Sequence, residues 1–217
     1  MKKAVIIGAR ADGHAKVVLE ILLAENKVEV VGFIDDDPSK KGSAIRNVPV
    51  LGSLSELPSI ALQKNIQCAI VAIGNNPMRR ELAGKIEQMG LELINAIHPT
   101  VHLDSDVIVG KGIYLGQGVI VVTGSRIGNN VNIHTGATID HDNVIEDGAN
   151  LGPGVHTAGR VKIGKDAFLG TGTLVIPDGI VGEGAITGAG TVVIKSVESY
   201  TKVVGVPARF VERIKKQ

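Results

Sequence analysis

Residues 127–151 read IGNNVNIHTGATIDHDNVIEDGANL, and every sixth residue of this stretch is Ile or Leu. A helix repeats its faces every 3.6 residues and a strand every two, so neither element alone produces a strict period of six. A coil with three flat sides of six residues does, because each side then turns one aliphatic side chain inward. The stretch therefore predicts a three-sided solenoid of short parallel strands.

The same frame continues without a slip from residue 97 to residue 193. Fifteen of its seventeen positions are aliphatic, and the exceptions are Thr157 and Thr187, whose hydroxyls need backbone partners if they point inward. Gly often follows the aliphatic residue, and Gly, Asn and Asp suit the backbone angles of tight corners. Because three sides of six make eighteen, residues eighteen apart are expected to stack on successive coils.

The first ninety-five residues have another pattern, in which short apolar strands alternate with helices. This alternation predicts a small parallel α/β sheet. Polar turns over residues 8–14, 35–37 and 74–76 follow three of the predicted strands, and ligands bind at that edge of such sheets. A Gly turn that opens a helix can offer backbone N–H groups to a phosphate, and Asp35 and Asp36 can accept hydrogen bonds from a ribose or base. The Gly spacing lacks the full dinucleotide fingerprint.

Composition narrows the classes of function. The formal net charge of the 217 residues is +1, and no block of like charges suggests a nucleic-acid-binding surface. No apolar run approaches the ~20 residues needed to cross a bilayer. Cys68 is the single cysteine, which excludes an intrachain disulfide and a Cys-based metal site. These features predict a cytoplasmic protein without membrane insertion.

Several motifs together resemble one family over nearly the whole chain. They are Gly8-Ala with Gly13-His14, Phe33-Ile-Asp-Asp-Asp, Ala72-Ile-Gly-Asn-Asn76, His98-Pro99, Asp140-His141-Asp142 and Gly205-Val-Pro-Ala-Arg209. The combination is similar to the hexapeptide-repeat sugar acetyltransferases. These include the PglD-like bacillosamine and perosamine N-acetyltransferases and the NeuD-like sialic-acid O-acetyltransferases.

The resemblance implies a fold, an assembly and a reaction. It implies a Rossmann-like α/β domain over residues 1–95 that holds a nucleotide sugar, a left-handed parallel β-helix over 96–202, and a capping tail over 203–217 that contacts CoA. It implies a homotrimer with acetyl-CoA in the cleft between neighbouring β-helices. The expected reaction is N-acetylation of a nucleotide-linked 4-amino-4,6-dideoxy sugar, without a metal.

The resemblance also assigns roles to residues. His141 would be the general base and Asp142 the acid that raises its basicity. The implied CoA-binding residues are Asn150, Gly159, Thr171 and Ala189. The implied nucleotide-sugar-binding residues are Asp12, Gly13, His14, Asp35, Asp36 and Gly74.

The chemistry of the residues agrees with a histidine base. A sugar amine must be neutral to attack a thioester, and an imidazole with a reference pKa of ~6.5 suits the removal of the proton. His141 is flanked by two acids, and Gly159, eighteen residues on, is expected to leave open space above it. Cys68 lies in a predicted buried strand, so a cysteine nucleophile is not expected.

Three alternatives stay open at this point. A sialic-acid-type O-acetyltransferase would share the fold and the base. A γ-class carbonic anhydrase-like zinc enzyme needs three histidines; His98 and His134 share a row thirty-six residues apart, but no third histidine has an evident place beside them. A non-catalytic trimeric scaffold would need no base at all.

Overall fold

The computed structural model describes residues 1–10 and 13–216. The chain divides into two compact units, Met1–Pro99 and Thr100–Gln217. The first is a Rossmann-like α/β unit and the second is a left-handed parallel β-helix, as predicted.

The first unit is built on one mixed sheet. Its strands are β1 (Lys2–Ile7), β2 (Val28–Ile34), β3 (Ala44–Ile45), β4 (Val48–Gly52), β5 (Ile66–Val71) and β6 (Glu92–Leu93). The short β7 (Ala96–Ile97) follows in the chain and is not part of this sheet. Its helices are α1 (His14–Glu25), α2 (Leu57–Lys64) and α3 (Asn76–Gln88), with a 3₁₀ turn at Pro38–Lys40.

The strand order is β3-β4-β2-β1-β5-β6, and only the β3–β4 pair is antiparallel. The chain goes from β1 to β2 on one side and later reaches β5 on the other side. The carboxyl ends of β1 and β5 therefore border the crevice in which sheets of this type bind ligands. The apolar strand residues and one face of each helix form the core, in which Ile34, Leu57 and Ile86 have no exposed surface.

The second unit repeats three flat faces. Face 1 consists of β8 (His102–Leu103), β11 (Ile120–Val121), β14 (Thr138–Ile139), β17 (His156–Thr157), β20 (Leu174–Val175) and β23 (Val192–Val193). Face 2 consists of β9 (Ile108–Val109), β12 (Arg126–Ile127), β15 (Val144–Ile145), β18 (Lys162–Ile163) and β21 (Ile180–Val181). Face 3 contains β10 (Tyr114–Leu115), β13 (Asn132–Ile133), β16 (Asn150–Leu151), β19 (Phe168–Leu169), β22 (Ile186–Thr187) and β24 (Thr201–Val204).

The register between coils is the predicted eighteen residues. Ile139 pairs with Thr157, and Thr157 pairs with Val175, in parallel strands of face 1. Most strands of this unit have two residues, and the second of them points inward and is buried in nearly every strand. The aliphatic frame therefore forms one continuous core. Thr187 also points inward, and its hydroxyl bonds Thr173 Oγ1 at 2.7 Å.

The corners use glycine in two different ways. Left-handed backbone occurs three residues after the inward aliphatic, as at Asp142 (φ 57°) and Gly154 (φ 63°). The glycine directly after the aliphatic has another role: a Cβ on Gly152 would come within 2.9 Å of the backbone of the next coil. This glycine is required by the close approach of two coils rather than by an unusual φ.

The C-terminal segment closes face 3. Strand β24 runs parallel to β22, and β25 (Arg209–Arg213) folds back antiparallel to β24. The segment is a hairpin that begins at Thr201, and it caps the last coil of the sheet.

Candidate active site

The turns between faces form three edges of the β-helix. Edge 1 joins face 1 to face 2, and one row of residues along it is Thr123, His141, Gly159, Pro177 and Lys195, each two residues after a face 1 strand. Edge 3 joins face 3 to face 1, and Thr171 and Ala189 follow one another in one of its rows. Successive coils lie about 4.8 Å apart, the spacing of paired strands.

His141 and Asp142 form a hydrogen-bonded pair on edge 1. His141 Nδ1 lies 2.8 Å from Asp142 Oδ2. An ionised carboxylate only accepts, so it fixes the tautomer with hydrogen on Nδ1 and leaves the Nε2 lone pair free. The side chain of His141 is 40% exposed, so this lone pair is within reach of a ligand. The pair has the geometry of a general base with an orienting acid.

Gly159 lies directly against the imidazole. A Cβ at this position would be 2.5 Å from His141 Cε1 and nearer still to Nε2. The sequence predicts that this glycine leaves open space above the ring. In the structure the glycine instead allows the backbone of the next coil to approach the ring closely. In the part of the chain that the structure describes, the Gly159 N–H has no hydrogen-bond partner. A free N–H beside a free imidazole nitrogen is suited to bind a developing oxyanion.

Charged residues continue the row next to His141. Arg160 donates to both carboxylate oxygens of Asp178, from Nε at 2.7 Å and from Nη2 at 3.0 Å. The side-chain hydrogen bond from Arg160 lowers the pKa of Asp178, and the same bond raises the pKa of Arg160. This ion pair occupies Arg160, so the carboxylate of Asp142 remains with His141.

The other expected CoA-binding residues lie elsewhere. Thr171 and Ala189 are exposed on edge 3. Asn150 belongs to β16 on face 3, is only 4% exposed, and its Oδ1 has no hydrogen-bond partner among the described residues. Within one chain the structure therefore brings together His141, Asp142 and Gly159, but it does not bring Thr171, Ala189 or Asn150 to them.

A cavity of about 420 Å³ lies at the carboxyl edge of the sheet in the first unit. Residues from all three strand ends that the sequence predicts to form a site line this cavity, among them Gly8, Asp35 and Ile73. Its lining comprises Ile7, Gly8, Ile34, Asp35, Asp36, Leu54, Ile73, Met78, Glu81, Leu82 and Lys85. Four of these residues, Met78, Glu81, Leu82 and Lys85, belong to α3 and were not predicted from the sequence. A helix residue that faces a crevice has no local sequence pattern that distinguishes it from other surface residues of the helix.

Asp35 organises the floor of this cavity. Its Oδ2 accepts from the Ala9 N–H at 2.7 Å and from Lys40 Nζ at 2.9 Å, and its Oδ1 accepts from the Asp37 N–H. Burial would raise the pKa of Asp35, but the bonds from Lys40 and the two backbone N–H groups lower it below its ordinary value. Asp36 accepts from the Leu54 N–H at 2.7 Å. Both carboxylates therefore fix the loops around the cavity, and Asp35 does so as an anion.

The remaining predicted nucleotide-sugar residues are not among the lining of this cavity. Gly13 precedes α1 and donates its N–H to the Arg10 carbonyl at 3.2 Å, and His14 begins that helix. Gly74 is exposed in the turn before α3, with free space around it. Asp12 lies outside the described residues.

A second cavity, of about 370 Å³, is formed by the end of edge 1 and the C-terminal hairpin. Lys195, Arg209 and Arg213 line it, and Arg213 pairs with Glu198. Lys195 stands three coils above His141, about 14 Å away along the edge. Lys195 lies three steps of eighteen residues after His141, so the period of the sequence carries a signal for its place on the edge.

Three further observations concern a cysteine nucleophile, a metal site and a membrane-spanning helix. Cys68 is buried, and burial raises the pKa of its thiol, which disfavours a thiolate nucleophile. In residues 1–10 and 13–216, no three His, Cys, Asp or Glu side chains are arranged to hold a metal ion. None of the described helices has the length and apolarity needed to span a membrane.

Known proteins match both units. Residues 3–86 match the family model described as the PglD N-terminal domain. A curated protein of Acanthamoeba polyphaga mimivirus, described as uncharacterized, is 31% identical over 119 residues, and this chain spans only 22% of its length.

Solved structures match nearly the whole chain. PerB from Caulobacter crescentus, in complex with CoA and GDP-perosamine, is 37% identical with a TM-score of 0.91, and the match covers 98% of each chain. Variants of this enzyme with one histidine replaced by Asn or Ala match equally well. The acetyltransferase domain of PglB from Neisseria gonorrhoeae, in complex with acetyl coenzyme A, is 31% identical with a TM-score of 0.87, and the match covers 97% of this chain and 99% of that domain. The fold, the histidine edge and these matches establish that the chain belongs to the PglD/NeuD-like hexapeptide-repeat sugar acetyltransferases.

Proposed function

We propose that this protein is an acyltransferase that moves the acetyl group of acetyl-CoA to the amine of a nucleotide-linked 4-amino-4,6-dideoxy sugar. The observation that carries the proposal is the arrangement on edge 1, in which Asp142 holds the His141 ring and the free Gly159 N–H lies beside it. The relatives solved with CoA and GDP-perosamine, or with acetyl-CoA, support this substrate pair.

The reaction proceeds by direct attack. The neutral amine attacks the thioester carbon while His141 Nε2 takes its proton, and Asp142 stabilises the imidazolium that forms. The carbonyl oxygen becomes an oxyanion and accepts the hydrogen bond of the Gly159 N–H. The C–S bond then breaks, the imidazolium returns the proton to the leaving thiolate, and the products are the amide and free CoA.

CoA is proposed to follow edge 1 from His141 to the basic cavity. The distance of about 14 Å corresponds to about four extended peptide units, and pantetheine consists of three such units with additional methylene groups. At the far end, Lys195 and Arg209 supply positive charge for the phosphates. The C-terminal hairpin thereby contacts CoA, as expected of this tail.

A homotrimer is proposed because the expected CoA residues lie on two different edges. Edge 1, with His141, and edge 3, with Thr171 and Ala189, flank the same face 1. If three copies turn face 1 towards a common axis, edge 1 of one copy meets edge 3 of the next, and the ring closes. Exposed aliphatic side chains support burial of face 1 together with edge 1, namely Ile120 and Leu174 on the face and Ile176 and Ile194 at the start of the edge.

The remaining assignments follow from this arrangement. The nucleotide is proposed to bind in the cavity of the first unit, next to Gly8, Asp35 and Asp36, with Asp12, Gly13, His14 and Gly74 as further contacts. Asn150 is proposed to approach the acetyl group from face 3 of a neighbouring copy. The cytoplasm, which supplies acetyl-CoA and nucleotide sugars, is the proposed location.

The test is a panel of UDP-, GDP- and dTDP-linked 4-amino-4,6-dideoxy sugars with acetyl-CoA, read by thiol release and by the mass of the product. We expect turnover of at least one amino sugar, and loss of that turnover in His141→Ala. His102→Ala is the matched control, because it removes another exposed His–Asp pair, with 2.9 Å between His102 Nε2 and Asp104 Oδ1, far from Gly159.

The alternatives give different results in the same assay. Turnover of free sialic acid without turnover of any amino sugar would identify an O-acetyltransferase. A lack of thiol release with every acceptor would contradict an enzymatic role and favour a scaffold.

A further inference from the structure

Asn143 is a polar residue in an apolar position of the β-helix. It points into the interior at edge 1 and has no exposed surface. The equivalent residues are Val161 one coil above and Val107 two coils below, with Ser125 between Val107 and Asn143. A polar side chain in such a position lowers stability unless its hydrogen bonds are made inside the protein.

The hydrogen bonds of its amide nitrogen are made to the backbone of the site, whereas its Oδ1 has no hydrogen-bond partner among the described residues. Asn143 Nδ2 lies 2.7 Å from the Asp140 carbonyl, 3.2 Å from the His141 carbonyl and 2.8 Å from the Ala158 carbonyl. Ser125, at the equivalent position one coil below, donates to the Asp140 carbonyl at 2.9 Å. One interior amide thus holds the turn that carries His141 and the turn that carries Gly159.

The bond to the Ala158 carbonyl fixes the direction of the Gly159 N–H. Carbonyl and N–H point in opposite directions across a trans peptide. Because the Ala158 carbonyl points inward to Asn143, the Gly159 N–H points away from the interior, towards the outer side of edge 1.

Equivalent N–H groups on the two coils below confirm this direction. The N–H of His141 donates to Asp140 Oδ1 at 2.7 Å, and the N–H of Thr123 donates to Asp104 Oδ2 at 2.8 Å. On both of these coils the outward N–H at this point of edge 1 donates to a carboxylate oxygen. The Gly159 N–H has no such partner: Ala158 before it carries no carboxylate, and Asp140, the counterpart of Asp104, accepts from the His141 N–H through its Oδ1. The same anion-binding position is therefore left for a ligand.

We infer that Asn143 is a positioning residue for the oxyanion of the proposed acetyl transfer. It holds the peptide between Ala158 and Gly159 so that the N–H faces the thioester oxygen, and it holds the carbonyl of His141 so that the base keeps its place on the same edge. The inference rests on the proposed function, but the orientation of the peptide is testable without it.

The test compares wild type, Asn143→Val and Thr157→Val. Val occupies the equivalent position on two other coils, at Val107 and Val161, so Asn143→Val is compatible with the fold. Thr157→Val is the matched control, since it also replaces a buried polar residue of the same interior by Val, and its hydroxyl makes only a long bond of 3.5 Å to the Thr138 carbonyl.

We expect Asn143→Val to lower kcat about 10- to 100-fold, somewhat less than the 10²–10³-fold loss of an oxyanion donor, because the N–H is misdirected rather than removed. The KM for acetyl-CoA should change less than about threefold, and the pH profile should keep its shape, because the base is still present. Thr157→Val should behave as wild type. Asn143→Ser, with one donor instead of two, should fall between them, and it replaces the Val variant if the latter does not fold.

Two results would overturn the inference. One is wild-type kcat in Asn143→Val, and the other is a crystal structure of that variant in which the peptide between residues 158 and 159 keeps its orientation. A wild-type enzyme that acetylates no acceptor would instead contradict the proposed function, and the crystal structure of the variant would still decide whether Asn143 holds the peptide.

Discussion

Replacement of Gly159 by Ala tests the contact on which the proposed site depends. The new methyl group would lie 2.5 Å from His141 Cε1 and 3.0 Å from Cδ2, whereas ordinary van der Waals contact begins at 3.4 Å. The imidazole must therefore retreat by about 1 Å. It is free to do so because it is partly exposed, but it then stretches or breaks the 2.8 Å bond to Asp142.

The displacement gives an estimate of the loss. A misplacement of about 1 Å in a catalytic constellation costs on the order of 100-fold in rate, or about 2.7 kcal/mol of activation free energy. We expect kcat/KM of Gly159→Ala to fall by roughly this factor, with little change in Tm. The fold tolerates side chains here, because Thr, His, Pro and Lys occupy the same row on the other coils.

The assay is thiol release from acetyl-CoA at varied concentrations of both substrates, together with thermal unfolding. Gly84→Ala is the matched control, since a Cβ on that residue of α3 meets nothing within 4 Å. It should leave kcat unchanged and stabilise the helix by about 0.5–1 kcal/mol. If Gly159→Ala kept kcat/KM within about threefold of wild type, the reasoning about the Gly159–His141 contact would be refuted.

Four further outcomes are expected. Asp142→Asn should lower kcat about 10- to 100-fold without loss of acetyl-CoA binding, because an amide does not enforce the same tautomer; an unchanged kcat would argue against an orienting role. Lys195→Ala should raise the KM for acetyl-CoA about tenfold at constant kcat, and its effect should shrink at high salt. Leu174→Glu should yield monomers in light scattering where wild type yields trimers, since it replaces an exposed leucine of face 1 by a charged residue. The pKa of Asp35 is lowered, so its contribution to stability is fully present above the unfolded-state pKa and is lost as the pH falls through the folded-state pKa. Asp35→Asn should therefore weaken the loss of the free energy of unfolding at acid pH, measured by denaturation at several pH values. An unaltered acid dependence would contradict this role of Asp35.

Much of the site could also be read from the sequence. The pair of His141 and Asp142 is local, and its stacking with Gly159 follows from the eighteen-residue period. The sequence predicts open space at Gly159, whereas the structure places its backbone against the His141 ring. The period identifies the row of residues along the edge, but it does not give the distance between a side-chain ring and the backbone of the next coil. Asn143 carried a readable signal, as a polar residue in an interior row that includes Val107 and Val161, but its three carbonyl partners come from two coils and appear only in the folded chain.

The sequence alone determined the β-helix, because seventeen successive six-residue sides repeat the same local interactions and any slip would expose the aliphatic frame. It also located the α/β unit and its three polar strand ends. Only the tertiary structure decided which polar groups are engaged and which are not. It engaged Asp35 and Asp36 with loop N–H groups, and among the described residues it left Oδ1 of the buried Asn150 and the N–H of Gly159 without a partner. Periodicity fixes which residues share an edge, whereas hydrogen bonds between distant segments decide which of those residues remain available to a ligand.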